Sequence, residues 1–180
     1  MSMLDRAFAS TSSILAKVQP DQLALPTPCA SWDVRALISH VTGSARWAAA
    51  TISGGEPDAV DADGDFVAGY EESVRAALTA FGADGALDRT LSLPFAATGA
   101  ALMILCAREQ FTHGWDLARA IGLPADLDPD LAGELLTEAR GAGLDAFRGP
   151  DGEAFFGAAT DAPAGASAAD RLAAFLGRAV

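Results

Sequence analysis

The sequence predicts an all-α fold, on three observations. Ala and Leu dominate the 51% hydrophobic content, while Ile is sparse and Tyr occurs once. That composition favours helices through low side-chain entropy cost and offers strands little β-branched or aromatic material. Apolar residues recur at i, i+3 and i+4 through several long windows, and Pro, Gly and capping residues punctuate those windows at helix-sized intervals. A chain of 180 residues with this apolar content is expected to form a single domain over residues 1–180.

Helix one is predicted from Leu4 to Val18, where Leu4, Ala7, Phe8, Ile14, Leu15 and Val18 share a face and Pro20 stops the pattern. The prolines between Pro20 and Pro28 forbid a continuous helix, so residues 24–29 are expected to form a rigid ordered loop. Ser31 is the candidate N-cap of helix two, which runs from about Trp32 to Ile52 with Val34, Leu37, Ile38, Val41 and Ala45 on its core side. Asp61, Asp63, Gly64 and Asp65 mimic part of a calcium loop. They lack the terminal Glu and the spacing of an EF-hand, and read as a solvated approach to helix three, with Phe66, Tyr70, Val74 and Phe81 inward.

Residues 87–95, which contain Pro94, read as a loop or a short edge strand. Thr98 caps the strongest helix, which continues through Met103, Phe111 and Leu117 to the Gly122-Leu123-Pro124 stop. Asp128-Pro129 opens helix five, ending near Arg140. A Gly-rich stretch to Ala166 follows, in which Phe155-Phe156 is expected to dock a short strand or irregular segment. Ser167 and Asp170 resemble a capping box that launches a short closing helix over residues 171–176.

A net charge of −12 repels phosphate backbones and anionic lipid, so neither nucleic acid nor a membrane surface is an expected partner. Cys29 and Cys106 show no CxxC spacing, the first residues carry no signal-peptide pattern, and the longest apolar run, residues 99–107, is far short of a bilayer span. A soluble cytoplasmic protein is expected.

Both histidines of the chain fall inside predicted helices. Glu109 and His113 stand one turn apart on the apolar face that carries Leu102, Leu105, Cys106 and Leu117. A carboxylate on such a face must find a cation or a proton. The i, i+4 spacing lets Glu109 and His113 hold one metal ion, and His40 on a packed neighbouring helix would complete the set. Imidazole and carboxylate ligands that leave one position for water or substrate are the inventory of a catalytic zinc site, and nickel or iron(II) also accepts them. The order is not HExxH, which excludes a zincin protease. A buried Glu109–His113 ion pair beside an unrelated His40 is the alternative reading. Asp116, one turn beyond His113, is a candidate to orient its imidazole. Trp32 and Trp115 are candidate pocket walls or core residues. Cys29 stands near a helix N-terminus with no free base beside it, and is expected to behave as a small hydrophobe.

Two segments then carry a family resemblance: Pro26-Thr27-Pro28-Cys29-Ala30-Ser31-Trp32-Asp33 through His40-Val41, and Glu109-Gln110-Phe111-Thr112-His113-Gly114-Trp115-Asp116 through Ala120. They resemble the actinobacterial metal-binding family allied to the N-terminal domain of mycothiol-dependent maleylpyruvate isomerase. The closing residues 170–178 are similar to that family's C-terminal signature. The resemblance implies a DinB/YfiT-like four-helix bundle with additional short C-terminal elements, a divalent metal held by His40, Glu109 and His113, and mycothiol as a cosubstrate. The second domain with which that isomerase completes its active site has no room here, so isomerase activity itself is not expected.

Two functions follow. One is a metal-dependent thiol S-transferase, in which a low-molecular-weight thiol attacks a small electrophile. The other is a non-catalytic metal or small-ligand binding protein. No residue beyond the ligands is assigned a catalytic role. Ala48-Ala49-Ala50 on helix two is compatible with a homodimer.

Overall fold

The computed structural model describes residues 1–61, 64–93, 96–150 and 153–180. The readings that touched Asp63, Pro94 and Phe95 lie outside the described residues. Among the described residues the chain is mostly helical, as the composition predicts, with one small two-stranded sheet that an all-α fold does not include.

Helix α1 (Met3–Leu15) begins one residue earlier than the apolar pattern suggested. Ser2 and Asp5 form a reciprocal capping box, with the Asp5 carboxylate accepting from the Ser2 N–H at 2.7 Å. A 3-10 turn, Pro20–Gln22, follows. Helix α2 (Val34–Ser53) is capped by Asp33 rather than Ser31. The Asp33 side chain accepts from the Ala36 N–H at 2.8 Å, because Ser31 still lies in the turn that precedes Asp33, whose backbone is extended and bridges Pro26. Helix α3 spans Phe66–Phe81. Strands β1 (Thr90–Leu93) and β2 (Ala96–Thr98) form an antiparallel hairpin with Thr90 opposite Thr98 and Leu93 opposite Ala96. Helix α4 (Gly99–Ala120), capped by Thr98, is the longest. Helix α5 (Pro129–Gly141) starts at the Asp128 cap with Pro at its first position, and a second 3-10 turn covers Leu144–Phe147. Helix α6 (Ala168–Phe175) closes the chain.

Helix α4 packs on α1 and α2, α3 packs on α2 and on α1, and α4 also touches α5, α6 and β2. Leu4, Phe8, Leu37, Ile52, Tyr70, Leu102, Phe111 and Leu117 are buried among them. Two close contacts set the position of α4. A Cβ at Gly114 would lie 2.5 Å from Thr11 Oγ1, so only glycine allows this α1–α4 approach. Beside it, the Thr11 hydroxyl donates to the Gln110 carbonyl at 2.8 Å. Gln110 is fully buried and joins three helices. Its Oε1 accepts from Tyr70 at 2.7 Å, and its Nε2 donates to the Val41 carbonyl at 3.0 Å and to Ser44 Oγ at 2.9 Å. That network fixes how far α4 stands along α2.

The C-terminal elements bury Leu131, Leu135 and Leu172 in the core and add polar contacts. Arg6 of α1 bridges Asp128 at 2.7 Å and Glu134 at 2.9 Å, tying α1 to α5. Ser167 caps α6, but Asp170 does not complete a capping box, because its Oδ1 accepts from Trp115 Nε1 at 2.9 Å instead. Phe156 docks through a single parallel bridge to Arg148, and Phe155 is exposed. Among the described residues, no helix is long and apolar enough to cross a membrane.

Candidate metal centre

Packing of α2 against α4 brings His40 over the turn of α4 that carries Glu109 and His113. Glu109 Oε1 lies 2.6 Å from His40 Nε2 and 3.2 Å from His113 Nε2, so both imidazoles turn the same type of nitrogen toward one carboxylate oxygen. The two rings are edge to face, with centroids 4.9 Å apart. His113 is buried, while the side chains of His40 and Glu109 are 32% and 29% exposed, so the cluster opens to solvent on one side.

The Pro-rich loop forms the wall next to that opening. Thr27 Oγ1 lies 3.0 Å from the Cys29 carbonyl and 2.9 Å from that of Trp32, and accepts from the Cys29 N–H at 3.1 Å, which folds residues 27–32 into a fixed turn. The Trp32 indole therefore lies against His40, with ring centroids 4.2 Å apart, and 5.6 Å from the His113 ring. Trp115 is fully buried, engages α6 through Asp170, and packs under Arg119.

Behind the cluster, the Asp116 carboxylate accepts from His113 Nδ1–H at 2.8 Å and is completely buried. Burial alone would push the Glu109 carboxyl up. The charge of His113 and hydrogen bonds from both histidines outweigh it and hold Glu109 well below the usual carboxylate range. Burial likewise disfavours the His113 imidazolium, but Glu109, Asp116 and Cys29 around it raise its pKa well above the ordinary histidine value. Positive charge on the His113 imidazole is thus favoured beside Glu109.

The donor set fits a divalent ion. Three nitrogen or carboxylate donors on His40, Glu109 and His113 lie within 4.8 Å of one another. Donors of a tetrahedral zinc site stand about 3.3 Å apart given its bond lengths, close to the His113–Glu109 spacing, whereas His40 and Glu109 are at hydrogen-bond distance. A carboxylate behind the far nitrogen of a ligating histidine is the usual buttress of such a ligand.

Arg178 and Cys29 take places here that the sequence reading did not give them. Arg178, after α6, donates through Nε and Nη2 to the two oxygens of Asp116 at 3.2 and 3.0 Å. Its Nη2 also lies 3.3 Å from Cys29 Sγ, which is itself 3.3 Å from Asp116 Oδ2 and 4.0 Å from His113 Nδ1. Burial disfavours the Arg178 cation, yet Asp116 keeps it protonated, above its usual range. Cys29, expected to behave as a small hydrophobe, instead meets Asp116 and Arg178 through its thiol, and Arg178, although it lies within the closing signature of residues 170–178, stands 62 residues from its partner, so nothing local ties the two together.

Residues 4–118 match the family described as "Mycothiol maleylpyruvate isomerase N-terminal domain". Two Mycobacterium tuberculosis proteins, from different strains and each described as an uncharacterized protein, are similar to this chain. Each is 41% identical to it over 180 residues, covering 97% of this chain and 95% of the relative. No solved structure gives a significant match. The matched segment contains His40, Glu109 and His113, and the chain belongs to the mycothiol maleylpyruvate isomerase N-terminal domain family.

Proposed function

We propose that the protein is a single-domain DinB-like four-helix-bundle metalloprotein that uses a divalent metal, zinc before nickel or iron, as a thiol-dependent transferase acting on a small electrophile. The observation that carries this reading is the convergence of His40 Nε2 and His113 Nε2 on Glu109 Oε1, with Asp116 on the far side of His113. A plain ion pair needs one histidine, and a second imidazole aimed at the same oxygen is what a cation-binding set requires. Family membership supports a mycothiol-type thiol as cosubstrate.

His40, Glu109 and His113 would hold the ion. When bound it supplies a Lewis acid that lowers the pKa of a coordinated thiol or water. The chain's own groups have separate tasks. Glu109 brings negative charge to the site, and Asp116 keeps the His113 proton on Nδ1, which leaves Nε2 as a donor. Trp32 walls the open side and lowers its water content, which strengthens electrostatic interactions within. The net charge of −12 supports a small-molecule substrate over nucleic acid.

The test is elemental analysis of protein purified without a metal-affinity tag, followed by thiol-dependent turnover of small electrophiles. About one ion per chain, lost in His113→Ala, together with turnover that His40→Ala abolishes, is the expected result. Metal without turnover across a broad thiol and electrophile screen points instead to a non-catalytic metal-binding protein. Wild-type protein that refuses added zinc and nickel returns Glu109 and His113 to an ion pair.

A further inference from the structure

His113 belongs to two donor groups, one with His40 and Glu109 and another with Cys29 and Asp116. The second group already has its cation. Arg178 forks Asp116 with two nitrogens and reaches Cys29 Sγ with one of them, while its third, Nη1, donates to the Leu176 carbonyl at 3.1 Å. Its backbone is pinned too. The Arg178 N–H donates to the Ala173 carbonyl at 3.0 Å, and the Arg178 carbonyl accepts from Thr160 Oγ1 at 3.3 Å.

Gly177 makes this turn. Its φ of +91° lies in the region that favours glycine, and a Cβ there would stand 2.6 Å from Gly157 Cα. The chain therefore leaves α6 tightly against Gly157 and sends the Arg178 side chain inward, where only 11% of it is exposed.

We propose that Arg178 is a positioning residue for the metal centre, acting on His113 through Asp116. A completely buried carboxylate needs a counter-ion, and a bidentate guanidinium also sets the plane of the carboxylate. With Oδ1 and Oδ2 both held by Arg178, Oδ2 is left at 2.8 Å from His113 Nδ1, and the ring is aimed with Nε2 toward Glu109 and His40. The same guanidinium fills the cation position beside Cys29, so the chain takes one ion. Arg178 lies beyond residues 4–118, so this support comes from the closing segment and not from the part that matches the family. The inference rests on the metal reading above.

The experiment compares wild type, Arg178→Gln and Arg178→Lys. Zinc affinity is read by competition with a chromophoric chelator, site symmetry by the visible spectrum of the cobalt form, and the His113 Nδ1–H hydrogen bond by nitrogen-15 histidine spectra of metal-free protein. Urea unfolding checks that each variant is folded. Arg178→Gln is expected to lose about 10- to 100-fold in zinc affinity, the usual cost of losing support behind a ligating histidine, with an altered cobalt spectrum and a displaced His113 Nδ1 signal. Arg178→Lys restores charge without the fork and is expected to recover part of the affinity; it carries the test if the Gln variant does not fold. Unchanged affinity and unchanged His113 signals in a folded variant overturn the proposal, as do two ions per wild-type chain. If wild type binds no metal, the metal reading fails on its own, and the His113 Nδ1 signal still decides: displacement in the variants supports the Arg178–Asp116–His113 chain, and an unmoved signal overturns it.

Discussion

Glu109 and His40 meet at 2.6 Å across 69 residues of sequence, and the oxygen they share is the one that faces His113 at 3.2 Å. Because Glu109 and Asp116 raise the His113 pKa, His113 carries a proton near neutrality that a metal must displace. Metal uptake is therefore expected to release about one proton, with apparent zinc affinity rising by up to about tenfold per pH unit as pH increases from about 6.5 toward the raised His113 value. Calorimetry in buffers of different ionisation enthalpy measures the released proton. An affinity flat across that range contradicts the assignment of His113 as a ligand.

Stability of the metal-free protein should pass through a maximum with pH. Glu109, with its folded pKa depressed, contributes stability that is present above its unfolded value of about 4.3 and is lost as pH falls through the folded value. His113, with its folded pKa raised, contributes stability that is full below about 6.5 and is lost as pH rises through the folded value. The difference in urea stability between wild type and Glu109→Gln is then largest between those two unfolded values and smaller on either side. A difference that keeps growing into alkaline conditions would mean that the pair is not the source.

Tyr70 donates to the buried Gln110 side chain, and burial keeps its phenol protonated, far above the usual range. Tyr70→Phe leaves Gln110 Oε1 without that donor at almost no change in volume, and should cost about 1–3 kcal/mol in chemical denaturation. Because Gln110 also holds Val41 and Ser44 of α2, the variant should weaken metal binding as well. A change in stability with metal affinity untouched would show that the α2–α4 register does not depend on this bond.

Gly114→Ala places a methyl group against Thr11, where the ideal position is 2.5 Å from Oγ1 and 3.2 Å from Cα. Backbone on the far side cannot swing away, so α1 must move from α4, at a cost of about 1–3 kcal/mol. Thermal unfolding measures it. Thr11→Ala, which removes the Oγ1 atom nearest the added methyl together with its bond to the Gln110 carbonyl, should recover part of the loss in the double variant.

Most helices were readable because their determinants are local. Apolar spacing, Pro129 at the first turn of α5 and Thr98 before α4 each act within one or two turns of chain; boundaries erred by a few residues, at Ser31 against Asp33, at the end of α1, which stops at Leu15 rather than Val18, and at the start of α6. The short hairpin was half visible, since Leu91 and Leu93 alternate with polar neighbours over too few residues to distinguish a strand from a loop.

The donors were readable for a related reason: a carboxylate and an imidazole one turn apart on an apolar face need no tertiary information to be noticed. The sequence by itself determined the helices and nominated His40, Glu109, His113 and Asp116. Tertiary structure decided that His40 faces Glu109, that Trp32 rather than Trp115 lies against the histidines, and that Arg178 and Cys29 stand behind Asp116. Those relationships depend on the distance of approach between helices, set by Gly114 and Gln110, and on a single left-handed turn at Gly177. Contacts across 62 to 149 residues leave no period in the sequence, because side chains that meet only after packing are not constrained to any spacing along the chain.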